Sequence, residues 1–191
     1  MHSYKKLIFS FIFVIFQIPF AYSDTKLVPK TELSPTKEHI IATRIITQLL
    51  ENYHYKPAKL NDDLSLLVFN KYLNALDPMK TYFTIKDIER FEYHGLKIDD
   101  YLEKASLEPL FEIFKEFRTK LVSRSEKAKE LIKNSNFNFE INENISLDRD
   151  SVEWAESEDE LDQVWRKKIK NETLSLKLNG KSVDSYKKTL I

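Results

Sequence analysis

The chain contains no cysteine, which excludes thiol nucleophiles, disulfide exchange, structural disulfides and thiolate metal sites. Only two of its 191 residues are glycine, Gly95 and Gly180, so there is no glycine-rich loop to cradle a phosphate and no GxSxG elbow to present a serine. Neither sign of charge is in excess, with 30 Lys and Arg against 30 Asp and Glu. A nucleic-acid surface needs a basic surplus to exchange for condensed counterions, so nucleic acid is not an expected partner. Long apolar runs are absent beyond Phe20.

What is there begins with Lys5 and Lys6 ahead of an almost unbroken apolar run from Leu7 to Phe20, the pattern of a secretory signal peptide. Ala21 and Ser23 supply small residues at a signal peptidase site, so cleavage is expected after Ser23, leaving Asp24 first. The alternative, an uncleaved anchor, is disfavoured because the run falls short of spanning length and is interrupted by Gln17 and Pro19. Membrane contact is thus expected only through the signal peptide before cleavage. Export without any cysteine points to a Gram-negative periplasm, with stability resting on packing. Losing Lys5 and Lys6 with the signal leaves a slight acidic excess, and the chain from Asp24 onward suffices for one domain or part of a larger assembly.

Periodicity predicts a mostly α fold: an irregular multi-helix array with one short extended β segment. Residues 24–33 read as a flexible tether, 34–181 as the helical domain, and 182–191 as the start of a further element that stops in mid-pattern, as a truncated one would. Ser34-Pro35 predicts an N-cap and a first helix to about Tyr53, burying Ile41, Ile45 and Leu49 with Ile46, Leu50 and Tyr53 beside them. A second helix from Asp62 to Asn74 should bury Leu64, Leu67, Val68 and Tyr72, and Asp77-Pro78 stops it. Thr84 and Asp87 predict a capping-box variant for a third helix, with Gly95 as its C-cap and a short element over Asp99 to Lys104 beyond. Ser106 opens the longest helix, whose broad face of Leu110, Phe111, Phe114, Phe117, Leu121, Val122, Ala128, Leu131 and Ile132 predicts a central position. Phe137, Phe139 and Ile141 alternate with polar residues as a strand would, and that segment must pair with a distant one or lie as an arm against the helices. Ser157 and Glu160 form a capping box for the last helix, with Leu161, Val164, Trp165 and Ile169 on one face and an end between Lys170 and Lys177.

Chemistry is hard to find. His39, His54 and His94 match no compact metal spacing, and HExxH is absent. Ser34-Pro35-Thr36-Lys37 matches SxxK, but neither SDN nor KTG follows and the serine is explained as a helix cap. The carboxylates Asp62, Asp63, Asp99, Asp100 and the run from Glu153 to Glu160 read as solvated faces and favourable charge at helix N-termini. No catalytic, cofactor-binding or metal-binding residue is assigned, and no cofactor is expected.

Tyr53-His54-Tyr55-Lys56, Leu60 with Asp62-Asp63-Leu64-Ser65, Tyr72-Leu73, Leu76-Asp77-Pro78, and Tyr82-Phe83 with Asp87-Ile88 and Phe91 resemble the N-terminal region of the tail-specific, or carboxy-terminal processing, proteases. Trp154-Ala155, Leu161, Trp165-Arg166-Lys167, Leu176-Lys177-Leu178 and Gly180-Lys181 match the later part of that region, so the likeness runs from about Leu33 to Lys188. The resemblance implies a periplasmic serine endopeptidase of the S41 class that recognises apolar C-terminal tails, with a helical N-terminal region before PDZ and serine-lysine catalytic domains. The likeness ends before the PDZ domain, so no catalytic residue is carried over, and the chain alone is expected to be inactive.

The expectation is therefore a noncatalytic helical region, a fragment or truncated member of that family, serving scaffolding, substrate access or partner docking. Its partners would be the PDZ and protease domains of the same polypeptide, protein substrates or an adaptor. The alternative is a free-standing periplasmic module that captures peptides with its aromatics. Tyr82 and Phe83, beside the Asp77-Pro78 turn, are the packing or contact candidates. Trp154, outside the capped helix, is the surface candidate, and Trp165 falls on the inner face.

Overall fold

The computed structural model describes residue 29 and residues 32–53, 60–134, 137–149 and 151–182. The expected signal peptide, most of the tether, His54 to Lys59 and the element from 183 onward lie outside the described residues. Six helices follow one another among the described residues: α1 (Lys37–Asn52), α2 (Asp62–Leu76), α3 (Ile85–Gly95), α4 (Ile98–Lys104), α5 (Glu108–Asn134) and α6 (Glu158–Leu178). The fold is thus mostly α, with a single isolated bridge, between Thr84 and Ala155, among the described residues.

The core lies where α2, α3, α4 and the first half of α5 meet. Phe69, Leu73, Phe83, Ile88, Phe91, Ile98 and Ile113 are buried in contact, with Tyr72, Leu110, Phe117 and Trp154 packed on them. α5 is therefore central only in its first half; farther along, it packs on α6, and Val122 is exposed.

α1 differs from expectation at both its cap and its face. Thr36, not Ser34, is the N-cap, its amide donating to His39 Nδ1 at 3.0 Å. The buried ridge is Thr43 and Thr47, while Ile41, Ile45, Ile46 and Leu49 are each more than half exposed. The physical reason is a close approach to α4. The Thr43 hydroxyl is satisfied by its own helix at the His39 carbonyl, 2.8 Å away, and the Thr47 hydroxyl reaches the Leu102 carbonyl at 3.5 Å. Periodicity identifies which residues share a face, and here the neighbour takes the small polar ridge.

α2 meets expectation in part: Val68 and Tyr72 pack on the core and Leu64 is half-buried. Its inward ridge is Ser65, Phe69 and Leu73, with Leu67 half exposed. Ser65 donates to Asp99 Oδ1 and accepts the Asp99 amide, both at 2.9 Å, which joins α2 to the start of α4.

Gly95 is not a C-cap but the last residue of α3, without positive φ. It allows contact between helices: a Cβ there would meet Phe69 Cδ1 at 3.3 Å and Leu66 Cδ2 at 3.4 Å. α6 runs to Leu178, past the expected end, and closes in a Schellman turn. Gly180 at φ 75° donates to the Lys177 carbonyl, and Lys181 donates to the Leu176 carbonyl. Ser157 caps the other end through the Glu160 amide, although the Glu160 carboxylate reaches back to the Glu156 amide rather than to Ser157.

Residues 137–149 form no strand. Of the two alternatives for that stretch, it takes the second, an irregular arm held on α6. Glu143 pairs with Arg166 and Lys170, and Lys177 lies over the Phe139 ring at 4.9 Å.

Candidate functional site

Tyr82, Phe83, Trp154 and Trp165 come from three distant segments, and one turn gathers them. Asp77 ends α2 with its amide on the Leu73 carbonyl, and Pro78 prevents the helix from continuing. The Asp77 carboxylate is fully buried and folds the following chain around itself. Oδ1 accepts the Thr81 amide at 2.8 Å, and Oδ2 accepts the Tyr82 and Phe83 amides at 2.8 and 2.9 Å. Charge-assisted bonds of this kind are about twice as strong as neutral ones. Lys80 takes a left-handed φ of 49° to complete the turn.

That turn aims Phe83 into the core, where it is wholly buried, with its ring 5.4 Å from Phe91, 5.9 Å from Phe117 and 6.3 Å from Trp154. Tyr82 stands edge-on to the same Phe117 at 5.3 Å and to Trp165 at 5.7 Å. Trp165 is half-buried, and its Nε1 donates to the Thr81 carbonyl at 2.8 Å. Trp154 is also half-buried, packed on Phe83 with the Lys80 ammonium over its ring. Burial, followed by the Asp77 charge, pushes the Tyr82 hydroxyl above its ordinary value.

A strap from the segment before α6 closes over the same turn. Arg149 Nε donates to the Met79 carbonyl, Lys80 to the Val152 carbonyl, and the Ile85 amide to the Ala155 carbonyl at 2.8 Å. α2, α3, α5, α6 and the strap thereby share one junction of rings and backbone bonds.

An ion-pair ladder joins α3, α5 and α6. Arg90 pairs with Asp87 at 2.7 Å, and Lys120 bridges Asp87 to Glu158 at 2.7 and 2.9 Å. Arg124, almost wholly buried, pairs with Glu158 and Asp162, and Lys127 also reaches Asp162. Asp87 additionally closes the α3 capping box, accepting the Thr84 amide and hydroxyl at 2.9 Å each. Burial pushes the Asp87 carboxyl up, but bonds from Lys120 and Thr84 outweigh it and hold it below the ordinary range. Asp162 is likewise raised by burial and lowered further by Lys127 and Arg124. The Arg166 and Lys170 bonds bring Glu143 down to about 2.

These charged groups bind one another. Among the described residues, no group of three or more His, Asp or Glu is placed to hold a metal ion. His39 caps α1 and stands edge-on to Phe111, while His94 Nδ1 meets the Tyr101 hydroxyl at 2.8 Å. Both imidazoles are thus occupied in structural contacts. No helix among the described residues is long and apolar enough to cross a membrane.

Sequence reasoning missed Asp77 and Arg124. Asp77 was legible as the end of α2, and an Asp before Pro in a turn is also the signal of a side chain that accepts amides downstream. Arg124 betrays itself by lying between Leu121 and Ala128 on the apolar face of α5, where a charge must find partners.

Residues 46–191 match the family described as the tail specific protease N-terminal domain. The chain is 28% identical over 157 residues to the tail-specific protease of Haemophilus influenzae (strain ATCC 51907 / DSM 11121 / KW20 / Rd), an alignment covering 81% of this chain and 22% of that relative. The chain therefore spans about a fifth of the length of the curated relative it matches. The match over residues 46–191, most of the chain, places it in the tail-specific protease N-terminal domain family.

Proposed function

We propose that this chain is the noncatalytic N-terminal helical domain of a periplasmic tail-specific serine endopeptidase, exported by residues 1–23 and cleaved after Ser23. It positions the PDZ and protease domains of that polypeptide and shapes substrate access to them. The observation carrying this reading is the match of residues 46–191 to the tail specific protease N-terminal domain, beside a relative of which the chain covers 22%.

The exposed face of α1 supports the docking part of the proposal. Ile41, Ile45 and Leu49, with Ile46 alongside, present an apolar stripe about 12 Å long. Its occupant in this reading is the remainder of the protease polypeptide.

Two measurements test the proposal. The purified chain should leave a protein with an apolar C-terminal tail uncleaved, and any cleavage would refute the noncatalytic role. Added in trans to a tail-specific protease lacking its own N-terminal region, the chain should bind, and an Ile45→Glu/Leu49→Glu variant should bind at least tenfold more weakly. Binding to free peptides with none to the protease would instead favour the free-standing module.

A further inference from the structure

Between the second half of α5 and the start of α6 lies a cavity of about 450 Å³, lined in part by Trp165. Its apolar walls are the Trp165 indole, Leu131 and Ala128. The indole is already fixed by its bond to the Thr81 carbonyl and by the Tyr82 edge. This wall is formed before any ligand arrives, and the volume lies within the roughly 300–1,000 Å³ of small-ligand sites.

The rim is ionic but compensated. Arg124 and Lys127 share Asp162, Arg124 also holds Glu158, and Arg166 holds Glu143. Each of these cations thus already has a carboxylate, and Glu130 adds a further negative group to the lining. An anionic ligand would have to displace one of these partners and would meet Glu130 as well. A neutral ligand displaces none of them, and the Asn134 amide can exchange hydrogen bonds with it, as can the Nε2 of Gln163, whose Oε1 holds Arg166 Nε at 2.9 Å.

We propose that this cleft binds a neutral stretch of peptide, inserting one large apolar side chain between Trp165 and Leu131 while its backbone amides meet Gln163 and Asn134. Selection is for an internal segment rather than a free C-terminal carboxylate. The proposal rests on the cleft alone and not on the architectural role, so either can fail without the other.

The test is titration of the unmodified, ¹⁵N-labelled chain with N-acetyl-L-phenylalaninamide. The Trp165 indole resonance and amides of residues 127–134 and 162–166 should shift saturably, with a dissociation constant of order 1 mM for a ligand this small. The Trp154 indole should stay still. N-acetyl-L-phenylalanine, which carries the free carboxylate, should bind at least tenfold more weakly, and Ala128→Phe, which fills the cavity, should abolish the shifts. Three results would overturn the proposal: no saturable shift, shifts centred on the α1 stripe, or the carboxylate binding as tightly as the amide. None of the three needs a variant, so they hold even if Ala128→Phe disturbs folding.

Discussion

Replacing Asp77 with alanine should unfold the molecule more readily than any other single polar change, and the structure sets the size of the effect. The side chain is fully buried, and three backbone amides, those of Thr81, Tyr82 and Phe83, donate to it within 2.9 Å. Each buried donor left without an acceptor costs about 1–3 kcal/mol. The turn can relax and admit water, so the expected loss lies toward the lower end of the sum, about 4 kcal/mol. For a domain of this size that is a fall in melting temperature of roughly 10 °C. Asp77→Asn, with its oxygen in the place that accepts the Tyr82 and Phe83 amides, keeps those two bonds but turns its NH2 toward the Thr81 donor, so it should lose about half as much. The assay is urea unfolding followed by circular dichroism and by tryptophan fluorescence, because Trp165 reports the same turn through its bond to Thr81. A loss below about 1 kcal/mol for Asp77→Ala, with an unchanged denaturant slope, would refute the view that this carboxylate organises the junction.

Other perturbations probe other parts of the account. Gly95→Leu should destabilise by about 1–3 kcal/mol in thermal melts, because even a Cβ at Gly95 lies 3.3 Å from the buried Phe69 ring. Trp165→Phe keeps an aromatic ring but loses the donor to Thr81, costing about 1 kcal/mol by urea unfolding. Acid should weaken the fold in two stages, read as melting temperature against pH. His94 is held below its ordinary 6.5, first by burial and then by Lys97, so the stability it contributes is complete above that value and is lost as the pH falls through its lower folded one. Asp87, Asp162 and Glu143 are also depressed, so their contribution is complete above about pH 4.5 and is lost toward pH 2, where Glu143 itself protonates. A melting temperature that rises on acidification from about pH 7 to about pH 3 would contradict both stages.

The local signals in the chain were legible because they depend on neighbours in sequence. Thr84 with Asp87, Ser157 before α6, and Pro78 after α2 mark their boundaries by chemistry acting within a few residues. The inward face of α1 was not legible, and that of α2 only in part, through Val68 and Tyr72, because both faces depend on α4. Thr43, Thr47 and Ser65 are small enough to let helices approach closely and can satisfy their hydroxyls there, and on α1 this leaves the larger apolar residues outward. The candidate aromatics followed the same division. Tyr82 and Phe83 could be noticed beside a turn, but their convergence with Trp154 and Trp165 required contacts between segments far apart in the chain. Glu143 stood just beyond a stretch that reads as a strand, and its pairing with Arg166 and Lys170 explains why that stretch lies as an arm.

The central claim is that this domain organises a protease without performing its chemistry, and one experiment addresses it directly. Cleavage of a protein with an apolar C-terminal tail is measured for the chain alone, for a tail-specific protease stripped of its N-terminal region, and for the two mixed. The account predicts no cleavage by the chain, and faster cleavage by the mixture than by the stripped protease. Cleavage by the chain alone, or a mixture no faster than the stripped protease, would contradict it.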